Sequence, residues 1–233
     1  GIKNVLIGGL AGDALQEGIG NVAVGYRSLS SENGHGKNVA IGYDCLRDLD
    51  AGADAYNIGI GYEAGKTVTT GIKNVLIGGI AGDAITTGEN NVAIGYNALA
   101  TETTGSGNIA IGNDALEDFN YNGNGYSVVI GNQAAKQLTG RYCTVIGSEA
   151  LNAEVAGVSN VAIGFQSLKV SNGGVSNTAV GTQAGLAVST GDSNVMVGGN
   201  AGDALTTGSN NIIIGNNSAA SAVDVSNEIT LGD

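Results

Sequence analysis

A tetrapeptide of the form apolar-x-(Ile/Val)-Gly returns about every seventeen residues along the 233-residue chain, and no other feature constrains the fold as tightly. Its glycines are Gly8, Gly25, Gly42, Gly61, Gly78, Gly95, Gly112, Gly131, Gly147, Gly164, Gly181, Gly198, Gly215 and Gly232, the last preceded by Leu231. The steps between them are 17, 17, 19, 17, 17, 17, 19, 16, 17, 17, 17, 17 and 17 residues. A short fixed period marks a solenoid, in which each coil buries its apolar face only by resting on its neighbours. Fourteen such units without a break predict one repeat domain over residues 1–233. The first residue lies inside a repeat and the last ends one, so the chain is expected to be a fragment or processed part of a longer fibre-like polypeptide.

Each coil can be counted from its motif glycine as position 0. Positions −3 and −1 are almost wholly β-branched, as in Val92/Ile94 and Ile109/Ile111. Two residues apart, they face the same way on a strand, and they are expected to be the buried core. Position +3 is always Ala, Ser or Cys, which predicts a tight interior crossed by a second short strand. Position +4 is Leu in some coils and Gly in others, and where it is Gly an apolar residue stands at +7, as in Gly82 with Ile85. That exchange of volume argues for a packed interior. Position −4 is Asn in eleven coils, which predicts a ladder of side-chain amides along the stack. Thirteen steps of ~4.8 Å predict a rod of roughly 60 to 65 Å. Position −2 (Ala23, Ala40, Ala93, Ala110, with Leu76 and Met196 elsewhere) is then left pointing outward. A small apolar outer column predicts another chain alongside, a lateral oligomer.

Acidic residues outnumber basic ones by 21 to 9, giving a net charge of −12. That charge repels phosphate backbones and anionic lipid, so nucleic acid is not an expected partner. No apolar run approaches the ~18 residues of a membrane span, so membrane insertion is not expected either. The one histidine, His35, stands in a polar, Gly-flanked turn without a partner motif, and is read as idle. With the carboxylates scattered over turns, no enzyme activity, cofactor or metal is expected. Asp13, Asp83 and Asp203 follow Gly-x-Ala-Gly segments but occur once per coil in separated coils, which suits turn formation better than shared calcium sites. Cys45 and Cys143 stand six coils apart, out of disulfide reach at ~4.8 Å per coil.

Runs such as Asn91-Val-Ala-Ile-Gly95-Tyr-Asn-Ala-Leu99 and Asn108-Ile-Ala-Ile-Gly112-Asn-Asp-Ala-Leu116 resemble the head repeats of trimeric autotransporter adhesins. They are more similar still to repeats of bacteriophage tail-fibre proteins, which keep the Ala-Leu after the glycine and a Thr-Thr-Gly turn. The resemblance covers essentially the whole chain. It implies a left-handed parallel β-roll, a homotrimer, and a place on a virion or cell surface with a role in attachment. The terminal Asn227-Glu-Ile-Thr-Leu-Gly-Asp233 is similar to the segment that precedes a self-cleaving chaperone domain in many tail fibres.

Aromatic residues are the best candidates for recognition of a host-surface glycan or protein. Tyr26, Tyr43, Tyr62 and Tyr96 share position +1, three of them on consecutive coils. The two nineteen-residue steps insert loops, and the second, Phe119-Asn-Tyr-Asn-Gly-Asn-Gly-Tyr126, is aromatic and amide-rich. Phe119, Tyr121, Asn122 and Tyr126 are therefore expected to form a binding loop. A purely structural shaft is the alternative. Ice binding is a weaker third, since no regular Thr-x-Thr column exists.

Overall fold

A computed structural model describes residues 1–119, 121, 123–153 and 156–232. Every regular element among them is a three-residue β-strand, one per coil. The fold is all-β, a parallel β-solenoid. The chain forms two compact units, Gly1–Asn124 and Gly125–Asp233, where the sequence predicts one repeat domain. The division falls within the second nineteen-residue step, Gly112 to Gly131.

The first unit holds β1 (Val5–Ile7), β2 (Val22–Val24), β3 (Val39–Ile41), β4 (Ile58–Ile60), β5 (Val75–Ile77), β6 (Val92–Ile94) and β7 (Ile109–Ile111). The second holds β8 (Val128–Ile130), β9 (Thr144–Ile146), β10 (Val161–Ile163), β11 (Thr178–Val180), β12 (Val195–Val197), β13 (Ile212–Ile214) and β14 (Ile229–Leu231). Within each unit, successive strands pair in parallel with equivalent positions opposite one another. Val92, Ala93 and Ile94 face Ile109, Ala110 and Ile111 in the first unit. Val161, Ala162 and Ile163 face Thr178, Ala179 and Val180 in the second. The predicted stacking of like on like is borne out.

Which side of the strand faces inward is the reverse of the sequence expectation. Position −2 is the core: Ala23, Ala40, Leu76, Ala93, Ala110, Ala162 and Met196 are fully buried. Positions −3 and −1 point outward and are half-buried in the inner coils, with β2, β5, β6 and β7 all alternating intermediate, buried, intermediate. The reason is width. Position −2 shares one narrow interior with +3, +4 and +7, and the volumes compensate. Ala93 faces in with Leu99 and Ala110 with Leu116, whereas Leu76 accompanies Gly82 and Met196 accompanies Gly202. A Cβ on Gly82 would sit 2.7 Å from Leu76 Cδ2 and 2.9 Å from Ile85 Cδ1, so those two side chains fill the space that a leucine takes elsewhere. Each fully buried leucine in such a stack contributes on the order of 1.5–3 kcal/mol.

The expected second strand is absent among the described residues; positions +1 to +6 are turns. Their backbone alternates through the left-handed region, as at Asn97 (φ 61) and Leu99 (φ 53), and no strand can run through residues so placed. Hydrogen bonds to the adjacent coils hold these turns instead, Leu99 N donating to Ala115 O at 3.0 Å and Asn97 N to Gly79 O at 3.1 Å. The motif glycine is obligatory for two reasons. Gly95 has φ 135, and a Cβ there would collide with the carbonyl oxygen of Gly112 in the next coil.

The asparagine ladder forms as predicted. Asn91 N donates to Asn74 Oδ1 and Asn108 N to Asn91 Oδ1, both at 3.0 Å. In most of these coils Nδ2 closes the bottom of its own coil, as Asn74 does on Gly88 O at 2.8 Å and Asn91 on Gly105 O at 2.9 Å. In the second unit Asn177, Asn194 and Asn211 repeat the pattern. One side chain thus satisfies a buried amide above and a buried carbonyl in its own coil.

Candidate recognition surface

The motif glycine swings the chain outward at the end of each strand, so position +1 projects from the coil. Tyr26, Tyr43 and Tyr62 stack there, with ring centroids 5.4 Å apart at both steps and interplanar angles of 26° and 12°. All three remain exposed, at 45%, 44% and 56%. Tyr26 lies over Gly9 of the preceding coil, where a Cβ would meet its ring at 3.4 Å. Tyr96 lies in the same way over Gly79, and that glycine coil separates it from Tyr62. The ladder therefore brings together three of the four position +1 tyrosines.

A charged column runs beside the rings at position +2: Arg27, Asp44 and Glu63. Arg27 Nε lies 3.6 Å from Asp44 Oδ1, and Arg47 reaches Asp44 at 3.4 Å and Asp48 at 2.5 Å. A hydrogen bond to Glu63 raises the pKa of the Tyr62 hydroxyl. The surface thus offers a run of exposed tyrosine edges and hydroxyls bordered by the Arg27 guanidinium and the Glu63 carboxylate, a combination able to make apolar contact and hydrogen-bond to hydroxyls.

The described residues of the predicted binding loop differ in their exposure. Phe119 is fully buried, because it occupies position +7, the place of Leu49, Val68 and Ile85 in other coils. Its carbonyl and that of Glu117 both accept from Thr101 Oγ1, at 2.9 and 2.7 Å. Phe119 is a core residue in this structure rather than an exposed member of a binding loop. Tyr121 is half-buried, its amide donating to Glu102 Oε2 at 3.3 Å. Asn122 lies outside the described residues. Tyr126 belongs to the second unit, is 56% exposed, and stacks on Tyr142 at 6.3 Å and 8°. The Arg141 guanidinium lies 5.0 Å from the Tyr142 ring.

Tyr142 was missed in the sequence, as was Tyr56, which carries Lys37 at 5.0 Å over its ring. The signal was their shared offset: Tyr56, Tyr126 and Tyr142 all stand five residues before a motif glycine.

The outward β-branched columns complete the surface. Where position −2 is predicted to be an outward apolar face, positions −3 and −1 are the outward apolar columns instead, because position −2 is enclosed. Ile41, Ile60 and Ile146 are 38%, 36% and 38% exposed even with coils on both sides. Comparison with family models, curated proteins and solved structures gives no match.

Proposed function

We propose that the chain is a non-enzymatic fibre or adhesin module, displayed on a virion or cell surface, that attaches to a surface glycan or protein through repeated weak contacts. The observation that carries this reading is the exposed Tyr26–Tyr43–Tyr62 ladder with its charged border. The exposed ring edges suit sugar rings, whose apolar faces can lie along the ladder while their hydroxyls meet the tyrosine hydroxyls and flanking charges. Copies lying side by side on the outward Val/Ile columns multiply each site, and avidity then rises without new chemistry. The resemblance to tail-fibre and autotransporter repeats supports three copies.

A glycan array probed with the wild-type chain and with the Tyr26→Ala/Tyr43→Ala/Tyr62→Ala variant tests the reading. Binding by the wild type, lost in the variant at unchanged fold, is the expected result. Binding to no glycan or surface protein in either form overturns it. That outcome favours a structural shaft, which the same outward aliphatic columns would serve by packing alone.

A further inference from the structure

Position +7 is the buried apolar place of the coil, yet three coils put a glutamate there, Glu32, Glu102 and Glu154; Glu154 lies outside the described residues, and Glu32 and Glu102 are both fully buried. Glu102 is satisfied where it sits. Its Oε1 accepts the amides of Thr103, Thr104 and Gly105 at 2.8, 3.0 and 2.6 Å, and its Oε2 that of Tyr121 at 3.3 Å. Glu32 is not satisfied. Its Oε1 accepts the His35 amide at 3.0 Å, and its buried Oε2 has no hydrogen-bond partner. The Ala51 amide turns toward this carboxyl without reaching hydrogen-bond geometry. Burial raises the pKa of Glu32 against the pull of the His35 amide, and the charge of Asp50 adds to the rise. A buried carboxylate oxygen left in this way costs free energy until something cationic or a proton meets it.

Two further groups surround it. His35 Nδ1 lies 3.8 Å from Glu32 Oε1 and is also buried without a hydrogen-bond partner. One ligand atom each from Glu32, His35 and Asp50 lies within 4.8 Å of the other two. The cations close by in sequence are engaged elsewhere, Lys37 with Asp54 at 2.7 Å and Arg47 with Asp48 at 2.5 Å. An open cleft of about 290 Å³, lined by Gln16, Glu17, Asn33, Gly34, His35 and Asp50, gives access from solvent.

The geometry points to a divalent-cation site of the zinc type, held by a carboxylate oxygen of Glu32, Nδ1 of His35 and a carboxylate oxygen of Asp50. One imidazole with two carboxylates suits Zn²⁺ and its first-row neighbours, whereas Ca²⁺ takes six or more oxygens. Ligand atoms at ~2.0–2.2 Å from one ion stand roughly 3–4 Å apart, so the three close in by rotating the partly exposed His35 and the exposed Asp50. His35 and Asp50 line the cleft, so solvent can supply a fourth ligand. Glu32 and His35 come from one coil and Asp50 from the next, at the start of the first nineteen-residue step, so the ion ties two coils together.

The test is titration calorimetry of chelator-stripped protein with Zn²⁺ and with Ca²⁺, paired with thermal unfolding. The site predicts one Zn²⁺ per chain, weaker Ca²⁺ binding, and a raised unfolding temperature with Zn²⁺. His35→Ala and Asp50→Asn each weaken Zn²⁺ tenfold or more, and Glu32→Leu, which restores the ordinary residue type of the position, abolishes binding in a folded chain. His35 and Asp50 lie at the surface, so their variants keep the experiment decisive if Glu32→Leu does not fold. Absence of stoichiometric Zn²⁺ binding overturns the assignment, as does binding that survives His35→Ala unchanged. In either case Glu32 is simply a buried carboxyl without a bound cation.

Discussion

The same residue type at the same place in the coil has opposite energetic meaning in Glu32 and Glu102. Four backbone amides converge on Glu102, so its carboxylate replaces the hydrogen bonds that the turn lacks. Glu32 receives one amide and leaves an oxygen unmet. In metal-free buffer, Glu32→Leu therefore stabilises the fold by about 1–3 kcal/mol, since it removes an unpaired buried polar group and continues the apolar column of Leu15 and Leu49. Glu102→Leu destabilises by a similar ~1–3 kcal/mol, because it leaves those amides unpaired. Denaturant unfolding of the two variants checks this, and equal signs would refute it. Nothing in the sequence separates the two glutamates. Their difference lies in how the following turn folds, and likewise the turn around His35 reads as idle until Asp50 of the next coil is placed beside it.

At the scale of one coil, the period, the strand and its closing glycine were legible, because stacking demands equal lengths and close approach demands Gly. The asparagine ladder was legible for a related reason: a repeated buried polar residue has to satisfy itself through its copies. Asn91→Ala leaves the Asn108 amide and the Gly105 carbonyl without their partners. The expected loss is about 1–3 kcal/mol, read as a lower denaturation midpoint at unchanged slope. The inward face was not legible by the usual rule that the larger apolar residues go inside. Positions −3, −2 and −1 are apolar in nearly every coil, so alternation of polarity gives no direction. The usable signal was volume: Leu76 with Gly82 and Met196 with Gly202, against Ala93 with Leu99 and Ala110 with Leu116, a compensation that only shared interior space requires. Phe119 was misplaced for the same reason, since its position +7 tells more about it than the loop composition that follows.

For the molecule as a whole, the reversal moves the exposed apolar columns, and with them the proposed association surface, from position −2 to positions −3 and −1. Columns of valine and isoleucine, half-buried in a single chain, run along the outside of the coils, and a neighbouring copy laid against them covers apolar area that water otherwise meets. The proposed recognition through the tyrosine ladder would gain strength from such a side-by-side arrangement. Threonine is compatible with the outward positions, as Thr144 and Thr178 already show. The measurement that bears most directly on this account is the molar mass in solution, by light scattering, of two chains. One is the wild type, and the other carries Val75→Thr, Ile77→Thr, Val92→Thr, Ile94→Thr, Ile109→Thr and Ile111→Thr. The account predicts a whole multiple of the single-chain mass for the wild type, and for the variant a folded chain of lower association with its β-structure intact. A wild type that stays monomeric at every concentration, or a variant that unfolds as it would if those six side chains were the core, contradicts it.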